Sequence, residues 1–433
     1  MKQKDGVTVG KFTKEENSWM IYDWGSSAFS VIITTAIFPI YYKAQATEAG
    51  ITGANSTAYL GYTIAIFTFI LAILGPVLGT IADYQGLKKR FFVSFMGLGI
   101  FSTFALVFVP EGQWLLLLIF FTLASLGSTG ANVFYDAFLV DITKDKRMNS
   151  VSSRGFGLGY IGSTIPFIIS ISIILLAQQG LLPINSTTAS KIAFLITCIW
   201  WAVFAIPIIK NVQQLHYIEN EPKPIRQSFK RLIRTLRNIR QYKYLSIFLL
   251  AYFFYIDGVG TIISMSTAYG TDVGLSSTIL LVVLLVTQVV AAPFAVIYGK
   301  LANRFSAKIM LYVGISVYMI VCVYGYFLET AIDFWILAML VASSQGGIQA
   351  LSRSYFAKLI PKQNANEFFG FYNIFGKFAS ITGPLLLGAT AQLTGKSNAG
   401  ILSLIVLFLI GMVILYFVPS DKKLGTNVQP ISK

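Results

Sequence analysis

Long apolar runs recur along this chain of 433 residues, and they constrain its fold more than any other feature. A helix needs about 20 consecutive apolar residues to cross the hydrocarbon core of a membrane. Charged residues make up only 12% of the chain, roughly half of their share in a soluble domain. We therefore predict an all-α integral membrane protein. Its twelve transmembrane helices are expected near residues 19–42, 58–82, 91–109, 114–138, 154–177, 191–209, 244–268, 277–299, 309–328, 333–353, 367–392 and 398–418.

The basic residues collect on one side of the predicted membrane. If the N-terminus is inside, all of the 33 Lys and Arg residues lie in cytoplasmic segments except four. Lys43, Lys191 and Lys396 then lie outside, and Lys377 lies within a helix. Cytoplasmic loops carry the excess of cations, so both termini are expected in the cytoplasm and the protein in the cell membrane. The net charge of +15 is thus an orientation signal and does not indicate a nucleic-acid partner.

A single long polar segment, residues 210–243, divides the chain into halves, residues 1–209 and 244–433. Within this linker apolar residues recur at helical spacing among cations: Phe229, Leu232, Ile233 and Leu236 among Lys230, Arg231, Arg234 and Arg237. The pattern predicts a basic amphipathic helix that lies along the anionic inner surface of the membrane lipids. A protein-binding role is the alternative.

The loop between the second and third predicted helices has a distinctive pattern at residues 79–90. Gly79 lets a neighbouring helix come close, Gly86 supplies a turn, and Lys88 begins a run of three cations. Asp83 is suited to accept hydrogen bonds from a helix N-terminus, and we expect it to hold the cytoplasmic side closed by bonding near residues 367–370.

A second copy of this pattern occupies residues 299–308, half the chain further on, with Asn303 in place of the aspartate. The spacing resembles the loop signature of the major facilitator superfamily. That resemblance implies two six-helix pseudo-repeats, which is the architecture of a facilitator-type transporter.

Ionisable residues inside membrane helices are costly and are candidates for function. Asp23 lies early in helix 1 beside Trp24, and Asp257 lies in the middle of helix 7 close to Tyr255. Lys377 lies in the middle of helix 11. We predict that this group handles the substrate or a coupled proton, together with four amide side chains: Asn132, Gln345, Gln349 and Asn373. For the first three of these amides, interhelical hydrogen bonding is an equally good interpretation.

Other charged residues lie at the cytoplasmic ends of helices. Asp136 ends helix 4 and Arg353 ends helix 10, at positions that match when the second half of the sequence is aligned with the first. We expect these two, with Arg154, Asp141 and Lys358, to form charge pairs that latch the two halves together when the inner side is closed.

Several classes of function are excluded by the sequence. No phosphate-binding Gly-rich loop is present, nor a His/Cys/Asp constellation for hydrolysis, so we expect neither an enzyme nor a cofactor. The two cysteines, Cys198 and Cys322, lie in apolar runs and imply no metal site. A sensor would normally add a soluble signalling domain. We therefore expect a monomeric transporter of a small molecule, driven by an ion or substrate gradient.

A closer resemblance is carried by six stretches, at residues 22–29 (YDWGSSAF), 35–39, 134–139, 154–160, 345–354 (QGGIQALSRS) and 367–384. They are similar to the autophagy-related vacuole effluxer family and its bacterial relatives. The first stretch departs from the family's usual pattern, because Gly25 and Ser26 stand where Ala and Asn are common. In fungal members the resemblance implies export of neutral amino acids from the vacuole.

The residues leave two substrate classes open. Asp257 and Lys377 could bind the two charged ends of a zwitterion, with aromatic residues accepting its side chain, as a neutral or aromatic amino acid requires. Alternatively, these two residues pair with each other and respond to a proton. In that case the protein exports or flips hydrophobic drug-like or lipid-like molecules.

Overall fold

In the computed structural model, the described residues are 11–219, 224–237, 239–272, 277–394 and 397–420. Twelve helices in this part of the chain are long and apolar enough to cross a membrane, as predicted. They are α1 (Lys14–Glu48), α2 (Gly53–Ala82), α3 (Leu87–Ala105), α4 (Trp114–Ala137), α5 (Asp145–Gln178), α6 (Ser186–Asn211), α7 (Lys243–Asp272), α8 (Ser277–Arg304), α9 (Ala307–Tyr326), α10 (Ala331–Leu359), α11 (Ala365–Thr394) and α12 (Asn398–Tyr416).

Several helices are longer than the apolar runs that predicted them. Helix α5 begins at Asp145, well before the expected start at Arg154, and α10 continues to Leu359. The added turns are rich in serine, yet Ser152, Ser153 and Ser354 are fully buried. They are buried because they pack against the opposite half of the protein. A hydropathy pattern cannot detect polar turns that face protein and not lipid.

Two junctions join the halves. Helix α2 packs against α11, and α5 packs against α8 and α10. Within the halves, α1 packs against α5 and α6, α3 against α4, α7 against α11 and α12, and α10 against α8 and α9. The two junctions are equivalent under the internal repeat, because α2 corresponds to α8 and α5 to α11.

The linker lies across one end of the bundle, which we call the linker face; the other end is the opposite face. A helix, Pro224–Arg237, forms within the linker as predicted and packs against α2. Before it, Ile218 pairs with the loop after α2: its N–H donates to the Asp83 carbonyl at 2.8 Å, and its carbonyl accepts from Gln85 N–H at 3.1 Å. The linker is thus attached to the first half.

Candidate functional site

Arg353 of α10 lies at the centre of the contact between the halves. Its Nη1 donates to Asp136 Oδ1 at 3.0 Å, and its Nη2 lies 3.6 Å from Asp23 Oδ2. Nε donates to Ser152 Oγ at 3.0 Å, and Nη2 to the Ser152 carbonyl at 3.1 Å. The arginine side chain is only 4% exposed. One buried guanidinium therefore binds α4 and α5 of the first half and lies beside a carboxylate of α1.

Aromatic rings surround this guanidinium. Its Cζ lies 4.6 Å from the ring centroid of Trp19, 4.3 Å from that of Phe156 and 5.5 Å from that of Tyr135. Trp19 and Tyr135 stack at 4.5 Å, and the Trp19 indole N–H donates to the Tyr135 carbonyl at 2.8 Å. Such rings attract a cation and exclude water from it, which strengthens its attraction to the two carboxylates.

Asp23 is the less firmly held of the two acids. Within the described part of the chain, its Oδ2 accepts no hydrogen bond, although the atom is buried. A Cβ at Gly155 would lie 3.0 Å from this oxygen, so the glycine gives the carboxylate its space on α5. The cluster Asp23–Asp136–Arg353 therefore places two carboxylates beside one cation, and the Asp23 carboxylate is held by charge more than by hydrogen bonds.

Asp83 makes a second contact between the halves. Its side chain is fully buried, and Oδ1 accepts from both the backbone N–H and the side-chain Nδ2 of Asn366, each at 2.9 Å. Asn366 lies at the start of α11, immediately before the stretch expected from the sequence. Gly79 permits this approach, because a Cβ there would collide with the Asn366 carbonyl oxygen.

The internal repeat produces a matching contact between α8 and α5. Asn303 Nδ2 donates to Ser150 Oγ at 2.6 Å, and a Cβ at Gly299 would overlap Ser153. The two joints connect the halves through equivalent contacts. The first includes a charge and the second does not, so the first should be the stronger.

We expect Asp83→Asn to weaken the closed linker face. The change keeps the shape of the side chain but removes the charge from two hydrogen bonds, which costs about 1–3 kcal/mol. A cysteine introduced at Ser153 should then react faster with a water-soluble maleimide. Asn303→Ala, which removes an uncharged hydrogen bond at the matching joint, should produce a smaller increase. Equal labelling of Asp83→Asn and the parent would show that the loop is an ordinary turn.

Asp141, which we expected at the contact between the halves, pairs with Lys88 inside the first half. Lys88 Nζ lies 2.6 Å from Asp141 Oδ2, and both side chains are fully buried. Asp141 Oδ1 also accepts from the N–H groups of Leu215 and His216, at 3.1 and 2.8 Å. No role was expected for His216, whose ring Nδ1 lies 3.0 Å from the same oxygen. The pair of Lys88 and Asp141 therefore connects the linker to α3 and to the short helix Leu139–Ile142 that follows α4.

Lys88→Met is expected to destabilise the protein severely. Removing one partner of a buried ion pair leaves the other charge uncompensated, which costs about 3–5 kcal/mol. Thermal unfolding in detergent should occur at a clearly lower temperature. Lys89→Met is the matched control, because the neighbouring lysine is half-buried and the same change there should have little effect.

Arg154 also lies away from the contact between the halves. Its side chain is exposed, and its guanidinium lies 4.4 Å from the ring centroid of Phe12. Arg154 therefore belongs to the surface around the N-terminal segment.

Gly86, in the loop between α2 and α3, adopts the left-handed conformation expected of its turn, with φ of 74°.

Asp257 is fully buried between α7 and α11. Its Oδ2 accepts from the backbone N–H of Gly383 at 2.8 Å, and Thr261 Oγ1 donates to Oδ1 at 3.5 Å. Pro384 follows and has no N–H, so the backbone bonding of α11 is interrupted at this level. The carboxylate thus binds the main chain of α11 immediately before its internal proline.

The expected partner of Asp257, Lys377, has a side chain outside the described part of the structure. Its backbone lies on α11, nearly two turns before Gly383, or about 9 Å nearer the linker face. Tyr255, close to Asp257 on α7, is fully buried, and its hydroxyl lies 2.6 Å from Ser352 Oγ. Tyr255 therefore links α7 to α10.

The remaining predicted residues lie on α1, α4, α10 and α11. Gln345 is buried, and Trp24, Asn132, Gln349 and Asn373 are half-buried. A small cavity between α2, α4 and α11 is lined by Asn373 and by Thr68, Leu71, Ala72, Gly75, Thr129, Val133, Gly370 and Ile374.

Three residues of the site were not predicted from the sequence: Trp19, Ser152 and Asn366. Trp19 and Ser152 carry no charge and lie in stretches without a distinctive motif. Only Asn366 had a signal, because the alignment of the halves that matches Arg353 to Asp136 also matches Asn366 to Asn149.

Comparisons with known proteins agree with this architecture. Residues 12–427 match the family model described as "Vacuole effluxer Atg22 like". The uncharacterized MFS-type transporter YxiO of Bacillus subtilis (strain 168) is 66% identical over 97% of this chain and 98% of its own. Autophagy-related protein 22 of Eremothecium gossypii is 23% identical over 87% of this chain and 85% of its own.

A solved structure shows the same fold. The proton:xylose symporter XylE, of the major facilitator superfamily, superposes with a TM-score of 0.72 at 10% identity, covering 94% of this chain and 96% of its own. The expected fold of two six-helix pseudo-repeats is confirmed, and the chain is a secondary transporter and not an enzyme. It belongs to the Atg22-like vacuole effluxer family, a branch of the major facilitator superfamily.

Proposed function

We propose that this chain exports a neutral or aromatic amino acid across the cell membrane by alternating access, in exchange for protons. The observation that carries the proposal is the cluster Asp23–Asp136–Arg353, in which two acids share one cation across the contact between the halves. The description of the family as effluxers supports the direction.

The charge of this cluster is the reason for proposing a proton. With both acids ionised, the cluster holds one net negative charge in a buried site, which is costly. A single proton on either acid removes that charge. Asp23 has the oxygen without a hydrogen bond and is the carboxylate that we assign to proton uptake. Proton binding by the acid and separation of the two halves at Arg353 would then be linked events.

Aromatic surfaces support an amino acid with an apolar or aromatic side chain. Tyr252 of α7 stacks on Tyr372 of α11 at 4.3 Å, and Phe253 lies 6.4 Å from Phe375. Aromatic rings favour the side chains of such substrates, and a few polar groups fix their orientation. We assign the polar role to Asp257, Lys377, Trp24 and the amide side chains at positions 132, 345, 349 and 373.

A second candidate is an exporter or flippase of hydrophobic drug-like or lipid-like molecules. It is favoured by the hydrogen bond from Gly383 N–H to Asp257, because a carboxylate already bonded to the main chain is less available to a zwitterion. In this case the aromatic surfaces would carry most of the recognition.

The experiment that tests the substrate is uptake into proteoliposomes, with a panel of amino acids, peptides and cationic dyes. We expect one or more neutral amino acids to compete for uptake, and dyes to have no effect. Competition by dyes alone would support the second candidate. Movement of none of these solutes, by a protein shown to be folded, would contradict both.

We further propose that residues 1–209 and 244–433 move as two units joined by residues 210–243, in a monomer with the linker face in the cytoplasm. Single cysteines at Glu48 and Ser397, in a chain without native cysteines, should react with an impermeant maleimide added to intact cells. A cysteine at Lys223 should react only after the cells are opened. Reaction of the cysteine at Lys223 in intact cells would show that the linker face lies outside, and would contradict this orientation.

A further inference from the structure

The linker carries a concentration of charge that the transport mechanism does not use. From Lys223 to Lys243 the sequence has eight cations and no acid. Within the helix Pro224–Arg237, Lys230 and Arg234 are exposed one turn apart, and Ile233 between them is 62% exposed. Ser228 and Leu232, also one turn apart, are buried. The helix therefore has one face against protein and one free face that mixes cations with an apolar side chain.

The position of this helix shows what its free face can meet. The helix packs against α2, whose linker-face end at Ala82 marks the limit of a membrane span. A helix at this level lies beside the lipid headgroups. Cations beside an exposed apolar side chain suit the boundary between anionic headgroups and acyl chains.

The linker also contacts both sides of the joint between Asp83 and Asn366. Before the helix, Gln214 Nε2 donates to the carbonyls of Ala82 and Asp83, at 3.2 and 3.3 Å. After the helix, the ring of Tyr242 lies 5.0 Å from that of Phe368, which follows closely on Asn366 in α11. The linker thus spans the junction of α2 and α11, which holds the linker face closed.

We propose that anionic phospholipid headgroups bind the free face of the linker helix at Lys230 and Arg234 and stabilise the closed linker face. The bound lipid holds the helix against α2, and the contacts of Gln214 and Tyr242 transmit this restraint to the joint. The proposal does not depend on the identity of the transported solute. It adds a regulatory site for lipid to the transporter.

The test measures opening of the linker face directly. In a chain with Cys198→Ser, Cys322→Ser and Ser153→Cys, the introduced thiol is buried against α8 while the face is closed. The protein is placed in vesicles of phosphatidylcholine alone, or of phosphatidylcholine with phosphatidylglycerol. We expect the anionic lipid to slow maleimide labelling by up to roughly 30-fold, about fivefold for each cation near an anionic surface.

The slowing should disappear in the double variant Lys230→Gln/Arg234→Gln, and at high salt, which screens exposed charges. The matched control is Lys43→Gln, an exposed cation on the opposite face, which should keep the slowing. Equal labelling in both lipids, or slowing that survives the double variant, would overturn the proposal.

Two further arms identify the source of the anion. Soluble glycerol phosphate, added to phosphatidylcholine vesicles, should not slow labelling; if it does, the site binds a free phosphate and not lipid. Slowing that occurs in native membranes but not in purified vesicles with anionic lipid would indicate an acidic protein partner, and would also overturn the proposal.

Discussion

Arg353→Gln is expected to abolish transport. Glutamine is neutral, so Asp23 and Asp136 would face each other without the cation that now lies 3.6 and 3.0 Å away. Leaving buried charge uncompensated costs about 3–5 kcal/mol, which corresponds to a loss of roughly 100-fold or more in a rate that requires the closed state. Solute uptake into proteoliposomes measures the loss, and maleimide labelling at Ser153→Cys measures the opening of the linker face.

A matched control and a rescue make this result specific. Arg154→Gln removes a cation near the same end of the bundle, but this side chain is exposed and should tolerate the change. Adding Asp136→Asn to Arg353→Gln removes one of the two stranded charges. This double variant should recover closure of the linker face without recovering transport. If Arg353→Gln alone transports normally, the cluster is structural packing only.

Asp257→Asn is expected to be the second severe change, and to act on transport more than on folding. Asparagine can still accept the hydrogen bond from Gly383 N–H, so the contact between α7 and α11 should survive. The variant loses the charge, and with it any binding of a proton or of an ammonium group. Uptake should fall by about 100-fold, in the range of a lost charged contact of about 2–3 kcal/mol. Glu111→Gln, at an exposed carboxylate, is the control.

The expected pairing of Asp257 with Lys377 is tested by the double variant Asp257→Asn/Lys377→Met. If the two residues bind substrate or a proton, the double variant should fold but not transport. If they form only a structural ion pair, the double variant should recover transport as well. That recovery would remove the residue-level argument for a zwitterionic substrate.

The sequence was sufficient to predict the architecture, because each membrane span contains a long apolar run. Twelve apolar runs predict twelve spans, and the repeat of the loop at residues 79–90 predicts two equivalent halves. The contact between Asp136 and Arg353 also had a signal, since aligning the two halves places these residues at matching helix ends. Asp83 was expected to form hydrogen bonds near residues 367–370, at the start of α11. The residue that it contacts, Asn366, immediately precedes that stretch.

Contacts that depend on how helices rotate could not be predicted in this way. Lys88 and Asp141 both lie at the ends of apolar runs, and nothing in their spacing shows that they face each other inside one half. Arg154 follows the serines that enter the contact between the halves, but a helix turns by about 100° per residue, so it lies on the exposed side. A prediction from charge alone therefore gives too many charge pairs between the two halves.

The measurement that tests the account most directly is accumulation of solute driven by a pH gradient. The parent protein should concentrate its amino acid in proteoliposomes only while the gradient exists. Asp23→Asn should still exchange labelled for unlabelled solute at equilibrium, but should no longer concentrate it, because the neutral side chain cannot bind and release the proton. Accumulation that persists without a gradient, or that Asp23→Asn retains in full, would contradict proton coupling through the cluster Asp23–Asp136–Arg353.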